Sequence, residues 1–209
     1  AGLVAIFANL DHVPYTLVFH PDQGIKTVQD LDGRRFAVVP GITYWKWIKK
    51  EYGVSADEFP LKGDLALFGR SPEMFQQGYS IFLPARLEDK GIANEQIKVS
   101  DLGYKPYSTL FTTQKMIDEN PELVQEVVDR LRAAFVKSLN DPKPTMDLIL
   151  GKSKKVTPAV HMNAIELMKA EFLPKDYSKL GCMKSDRWAE LAEQLKEVDV
   201  VPADFDSTS

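Results

Sequence analysis

The sequence is poor in several features that mark particular classes of protein. It has one cysteine, Cys182, so no disulfide can form within the chain. It has no run of about 18 apolar residues, the minimum for a membrane-spanning helix. Its 26 basic and 30 acidic residues are interspersed and give a net charge of −4. Nucleic-acid-binding domains carry clustered basic residues, so the mixed charges predict no nucleic-acid partner. The lack of a long apolar run predicts no transmembrane helix.

Signatures of catalysis and metal binding are also missing. There is no G-x-S-x-G motif, no glycine-rich phosphate loop and no H-E-x-x-H motif. The histidines, His12, His20 and His161, lack the spacing of metal ligands, and Cys182 has no adjacent cysteine or histidine. We therefore expect a protein that is not an enzyme and that binds no metal or organic cofactor.

Strand and helix patterns alternate in the first half of the chain. Short runs rich in apolar and β-forming residues predict strands at 3–8, 15–19, 35–39, 79–83, 97–100 and 108–112. Helices are predicted at 44–52, 71–77 and 84–90, and four more begin near Pro121, Pro142, Pro158 and Ser185. In the helix that begins near Pro121, Leu123, Val127, Leu131 and Phe135 recur every fourth residue as an apolar face. Alternating strands and helices followed by a helical tail indicate an α/β fold.

Aromatic residues gather near the ends of these elements. Large flat rings at such places suit the clamping of a small molecule, although core packing would also use them. Tyr44, Trp47 and Ile48 share one helical face, which predicts that Trp47 lies in the core. Trp45 lies off that face, so it is expected either to face a ligand cleft or to be simply exposed.

The segment Gly41-Ile42-Thr43 lies between a predicted strand and the helix that follows it. The start of a helix offers free backbone N–H groups and a partial positive charge, which suit an anionic or polar ligand group. The Thr43 hydroxyl is expected to cap this helix, to contact a ligand, or to do both.

Five segments, in this order, resemble those of one family. Residues 24–35 (GIKTVQDLDGRR), 44–47 (YWKW), 75–79 (FQQGY), 101–104 (DLGY) and 120–124 (NPELV) are similar to motifs of the NMT1/THI5-like and SsuA-like solute-binding proteins of ABC-type importers. Each motif is weak alone, but five in this order are fairly specific, and the resemblance runs over roughly residues 1–202.

The resemblance implies a two-lobe, type II periplasmic-binding-protein-like fold with a helical C-terminal tail. Residues 1–22 and 102–209 would form the first lobe, and residues 23–101 the second. The chain would bind a small solute (an anion, a sulfonate or a pyrimidine-like molecule) in the cleft between the lobes. It would deliver that solute to an ABC permease from a periplasmic or extracellular position at the membrane. The candidate ligand-binding residues are Asn9, Gly41, Thr43, Tyr44, Trp45, Tyr79, Phe82, Tyr104 and Tyr107.

Two departures from the family pattern matter. The family has a strand–helix–strand–helix segment ahead of the point where Leu3 falls, so we expect the first lobe to be incomplete at its N-terminus. Either that segment exists as a separate piece, or the open sheet edge pairs with a second copy as a homodimer. In addition, Leu83 stands before Pro84 where the family has an acid, which argues against pairing with a ligand amine.

Two alternatives to a transport binding protein stay open. Some relatives make the thiamine pyrimidine from their own histidine and a lysine-bound pyridoxal phosphate, but they carry a cysteine-rich motif that this chain lacks. An absorbance scan for pyridoxal phosphate would distinguish this enzyme. The other alternative is a degenerate binding or sensor module on the same fold, which fold resemblance alone does not exclude.

Overall fold

The computed structural model describes residues 2–152 and 156–207. Its strands are β1 Leu3–Leu10, β2 Tyr15–Phe19, β3 Arg35–Val38, β4 Asp57–Pro60, β5 Met74–Tyr79, β6 Glu95–Lys98 and β7 Ser108–Thr113. Its α-helices are α1 Thr43–Tyr52, α2 Leu65–Arg70, α3 Leu83–Glu88, α4 Gln114–Glu119, α5 Pro121–Asn140, α6 Lys143–Lys152, α7 Pro158–Leu167 and α8 Ser185–Glu197.

The chain divides into two compact units. Unit 1 comprises Ala1–Val13 and Pro106–Lys184, and unit 2 comprises Pro14–Lys105 and Ser185–Ser209. These units divide the chain differently from the predicted lobes. The strand β2 lies in unit 2 because it pairs with β5 and β6, and α8 lies there because it packs against α1.

Unit 2 is built on a five-stranded mixed sheet in the order β4-β3-β5-β2-β6. The strand β3 runs parallel to β4 and β5, while β2 runs antiparallel to β5 and β6. One apolar cluster, with Phe36 and Phe75, joins the sheet to α1 and α8, and a second, with Phe68 and Leu87, joins it to α2 and α3. The sheet is therefore covered on both faces, as parallel strands require.

The segment around β5 differs from the sequence prediction. Residues 71–77 were predicted as a helix and 79–83 as a strand, whereas the strand is Met74–Tyr79 and α3 begins at Leu83. Glutamine and methionine favour helices in isolation. Here the segment lies between β3 and β2, where Phe75 stacks on Phe36 with ring centroids 4.1 Å apart. Tertiary packing has overridden the local preference.

Unit 1 contains an antiparallel pair of strands, β1 and β7, together with α4 to α7. Its core gathers Phe7, Leu139, Ile165 and Leu180. A backbone bridge from Ala8 to Gly181 lies beside this core, with Ala8 N–H donating to the Gly181 carbonyl at 3.0 Å. Among the described residues, β7 pairs only with β1.

The predicted apolar face of α5 is buried only in its second half. Leu131 and Phe135 pack against the unit 1 core, whereas Leu123 and Val127 are 51% and 43% exposed. Phe111 on β7 is exposed as well.

No helix in the described ranges combines the length and the hydropathy needed to cross a membrane.

Candidate functional site

The parallel strands of unit 2 end at one edge of the sheet. There β3 ends at Val38, β4 at Pro60 and β5 at Tyr79, and each is followed by a loop that leads into a helix. In open α/β sheets, ligands bind outside the carboxyl ends of the strands. This edge is therefore the expected position of a binding site.

The loop from β3 to α1 brings a helix N-terminus to this edge. Gly41 has φ of +76°, the left-handed region that favours glycine, and so permits the reversal from strand into helix. The N-cap is Ile42, whose aliphatic side chain cannot accept a hydrogen bond, and Thr43 is already the first helical residue. The prediction that Thr43 caps the helix is therefore wrong. Because the cap residue offers no acceptor, the first-turn N–H groups are available to an acceptor from outside the helix.

Four tyrosines of unit 2 lie near one another, namely Tyr15, Tyr44, Tyr79 and Tyr104. The ring of Tyr15 contacts two of the other three. The Tyr15 ring lies 4.7 Å from Tyr44 and 5.7 Å from Tyr79, measured between centroids. Tyr44 is 1% exposed and its Oη has no hydrogen-bond partner among the described residues, whereas Tyr79 is 47% exposed. Burial, and then proximity to Tyr15 and Tyr79, raise the pKa of Tyr44. Burial and then Tyr15 raise the pKa of Tyr104 to about 12. These hydroxyls therefore stay protonated and can donate at neutral pH.

A cavity of about 250 Å³ opens at the same edge, on the α2 and α3 side. Tyr79 and Phe82, both predicted ligand contacts, line it. Gln76 and Gln77 are buried and also line it, and the Gln77 Oε1 accepts a hydrogen bond from the Val39 N–H at 2.9 Å. Sequence reasoning missed both glutamines, because a helix predicted at 71–77 hid the alternation of faces along β5.

The two tryptophans of α1 are both buried. Trp47 is 5% exposed and packs on Tyr104 with ring centroids 5.4 Å apart, so its predicted core position is confirmed. Trp45 is 2% exposed, lies 4.7 Å from the Phe36 ring, and donates from Nε1 to Glu58 Oε1 at 2.9 Å. The prediction that Trp45 faces a cleft or solvent is wrong, because α1 buries a second face against the sheet.

The remaining candidate residues lie elsewhere. Asn9 is a half-buried residue of β1 in unit 1. Tyr107 is a buried residue of unit 1, and its hydroxyl accepts a hydrogen bond from the Lys184 N–H at 3.0 Å. Tyr104 is buried in the unit 2 core beside Trp47. Ligand contact by these three residues stays a prediction. Within the described ranges, no three His, Cys, Asp or Glu residues are grouped so that they could hold a metal ion.

The family model described as NMT1/THI5 like matches residues 1–145 of this chain. No curated protein matches the sequence. The solved structures that resemble it include the periplasmic aliphatic sulphonate binding protein SsuA from Escherichia coli, with 15% identity and a TM-score of 0.73. That alignment covers 99% of this chain and 68% of that one.

Two further structures show the same fold. The alkanesulfonate-binding protein SsuA from Xanthomonas axonopodis pv. citri, bound to MOPS, is 15% identical with a TM-score of 0.63, covering 96% of this chain and 70% of that one. The CA3427 gene product of Candida albicans, described as having the generic periplasmic binding protein fold, is 14% identical with a TM-score of 0.62, covering 98% and 69%. The predicted periplasmic-binding-protein-like α/β fold is thereby confirmed, over about two thirds of these relatives' length.

Proposed function

Because the chain belongs to the NMT1/THI5-like family, we propose that it binds a small anionic solute and delivers it to an ABC-type import permease. In this proposal the protein acts by binding alone, without a catalytic step or a cofactor. It works on the periplasmic or extracellular side and reaches the membrane through the permease.

The observation that carries the proposal is the position of the α1 N-terminus. It emerges at the carboxyl edge of the parallel strands, where ligands of open α/β sheets bind. Its cap residue, Ile42, leaves the first-turn N–H groups unpaired by its side chain. The helix dipole adds a partial positive charge at the same point. Tyr79 and Phe82 supply flat apolar surface at this edge.

The first test is a thermal-shift screen of alkanesulfonates, carboxylates, inorganic anions, amines and neutral sugars. A ligand at about 100 times its Kd stabilises the folded state by about 2.7 kcal/mol, which such a screen detects. We expect stabilisation by at least one anion and none by the matched amines. Stabilisation by amines alone would contradict an anion site.

The second test places a charge at the helix start. Ile42→Asp puts a carboxylate where the solute's anionic group would bind, so we expect it to weaken binding at least tenfold relative to Ile42→Asn. Asparagine is as good an N-cap as aspartate and removes the same apolar side chain, so the pair differ in charge alone. Titration calorimetry with the best anion of the screen measures the ratio. Equal affinities would move the site away from α1.

Self-association through unit 1 stays a prediction. Its basis is the exposed apolar side chains of Leu3, Phe111, Leu123 and Val127 and the sheet of β1 and β7, which has no third strand among the described residues. If no separate N-terminal piece completes the first lobe, light scattering should give a mass near twice 23.5 kDa, the mass of one chain. A well-folded species at the single-chain mass across the micromolar range would contradict it.

A further inference from the structure

The cavity beside Tyr79 contains an arginine with no acid opposite it. Arg86, on α3, is half-buried and lines the cavity. No ion pair or side-chain hydrogen bond joins it to any described residue. The residues that line the cavity include no carboxylate. Asp64, next to the lining residue Gly63, is already engaged, since its Oδ1 accepts hydrogen bonds from the N–H groups of Ala66 and Leu67.

A buried amide lines the same cavity. Gln76 is 3% exposed, and its side chain has no hydrogen-bond partner among the described residues. An amide offers two N–H donors and one acceptor oxygen, and those of Gln76 are not among the fully buried unpartnered atoms of the described residues. Gln77 differs, because its Oε1 is held by the Val39 N–H. The Gln76 amide is thus accessible from the cavity and free to pair with an occupant there.

The size and walls of the cavity limit that occupant. Its volume is about 250 Å³. This is below the range of about 300–1,000 Å³ that holds drug-sized ligands. Apolar side chains form much of the wall, namely Val39, Leu61, Leu65, Phe82 and Leu83. The cavity therefore suits a short alkyl group that ends in a hydrogen-bond acceptor.

We propose that this cavity binds a small aliphatic carboxylate, with Arg86 pairing with its charge and the Gln76 amide donating to one of its oxygens. A guanidinium is a planar fork that matches a planar carboxylate with two parallel hydrogen bonds, and an amide adds a donor of similar flat geometry. A guanidinium also pairs with tetrahedral oxyanions, but a sulfonate is far less basic than a carboxylate and is therefore the weaker hydrogen-bond acceptor. The inference rests on the proposed function, but it places the charge of the solute against Arg86, in a cavity that Ile42 and Thr43 do not line. It names the class of solute and the residues that select it.

Titration calorimetry of the whole chain with butyrate, 1-propanesulfonate and n-butylamine tests the assignment. We expect butyrate to bind more tightly than the sulfonate, and the amine not to bind. Arg86→Gln should weaken butyrate binding at least tenfold, and Arg86→Lys by less, because lysine keeps the charge but loses the fork. Gln76→Leu should weaken binding as well, with a loss smaller than that of Arg86→Gln. The matched control is Arg70→Gln, an exposed arginine outside the cavity, which should leave the affinity unchanged.

Thermal melts show whether each variant folds, and Arg86 is exposed enough for its removal to leave the core intact. Unchanged butyrate affinity in Arg86→Gln, or tighter binding of the sulfonate or the amine, would overturn the inference. If a sulfonate or inorganic anion binds in a manner sensitive to Ile42→Asp but not to Arg86→Gln, the proposed function stands and this inference fails. If no anion binds at all, both fail.

Discussion

Trp45→Ala should lower the free energy of unfolding by about 3–5 kcal/mol, the usual cost of truncating a buried aromatic residue to alanine. The Trp45 ring is 2% exposed and contacts both Phe36 and Phe75, with ring centroids 4.7 Å and 5.9 Å away. Its Nε1–H also donates to Glu58, which keeps a second partner in Lys49 at 2.7 Å. The loss is therefore mostly that of packing, with a cavity left between α1 and the sheet.

Urea denaturation followed by circular dichroism measures this loss. The control is Tyr79→Ala, since that side chain is nearly half exposed and should cost much less. The two variants should also separate in binding: Tyr79→Ala should weaken the solute's affinity, whereas Trp45→Ala should act through stability. A Trp45→Ala protein with nearly wild-type stability and impaired binding would restore the cleft-facing role that the sequence predicted for Trp45.

The sequence located most strands of the fold because their local and tertiary preferences agree. The runs at 3–8, 15–19 and 35–39 are apolar and rich in β-formers, and each became a strand within two residues of its predicted ends. The strand β5 shows the opposite case. Its glutamines and methionine have no strand preference of their own, and its pairing with β3 and β2 comes from residues far away in sequence.

The orientation of α1 was predictable only in part. A helical period identifies the largest apolar stripe, and that stripe correctly contains Trp47. It cannot show that a helix lies between two layers, with Trp45 against the sheet and Trp47 toward Tyr104. The packing of α8 against α1 belongs to this arrangement.

The candidate site was found from the sequence only at its rim. Gly41, Tyr79 and Phe82 lie at the carboxyl edge of the parallel strands. The sequence suggested them because glycines and aromatic residues at element ends are typical of loops and contact surfaces. Gln76 and Arg86 carry no such signal. A glutamine in a strand and an arginine on a helix are common and indicate no site by themselves. The register of β5 places Gln76 at the cavity, and α3 places Arg86 along its wall.

Gly181→Ala should destabilise unit 1 by about 2–6 kcal/mol, because two costs of about 1–3 kcal/mol each combine. Gly181 has φ of +93°, a conformation that costs a residue with a Cβ about 1–3 kcal/mol. A Cβ there would also lie 2.3 Å from the Phe7 ring, and Phe7 is fully buried, so relief requires a shift of the core at a cost of about 1–3 kcal/mol.

The backbone bridge from Ala8 to Gly181 ties this position to β1, so the loss should appear as faster hydrogen exchange at the Ala8 amide as well as a lower denaturation midpoint. Gly151→Ala is the matched control: Gly151 lies in α6 with no atom within 4 Å of a built Cβ, and alanine there should be neutral or stabilising by up to about 1 kcal/mol. If Gly181→Ala is as stable as Gly151→Ala, the close packing of Phe7 on this turn is not what holds β1 in place.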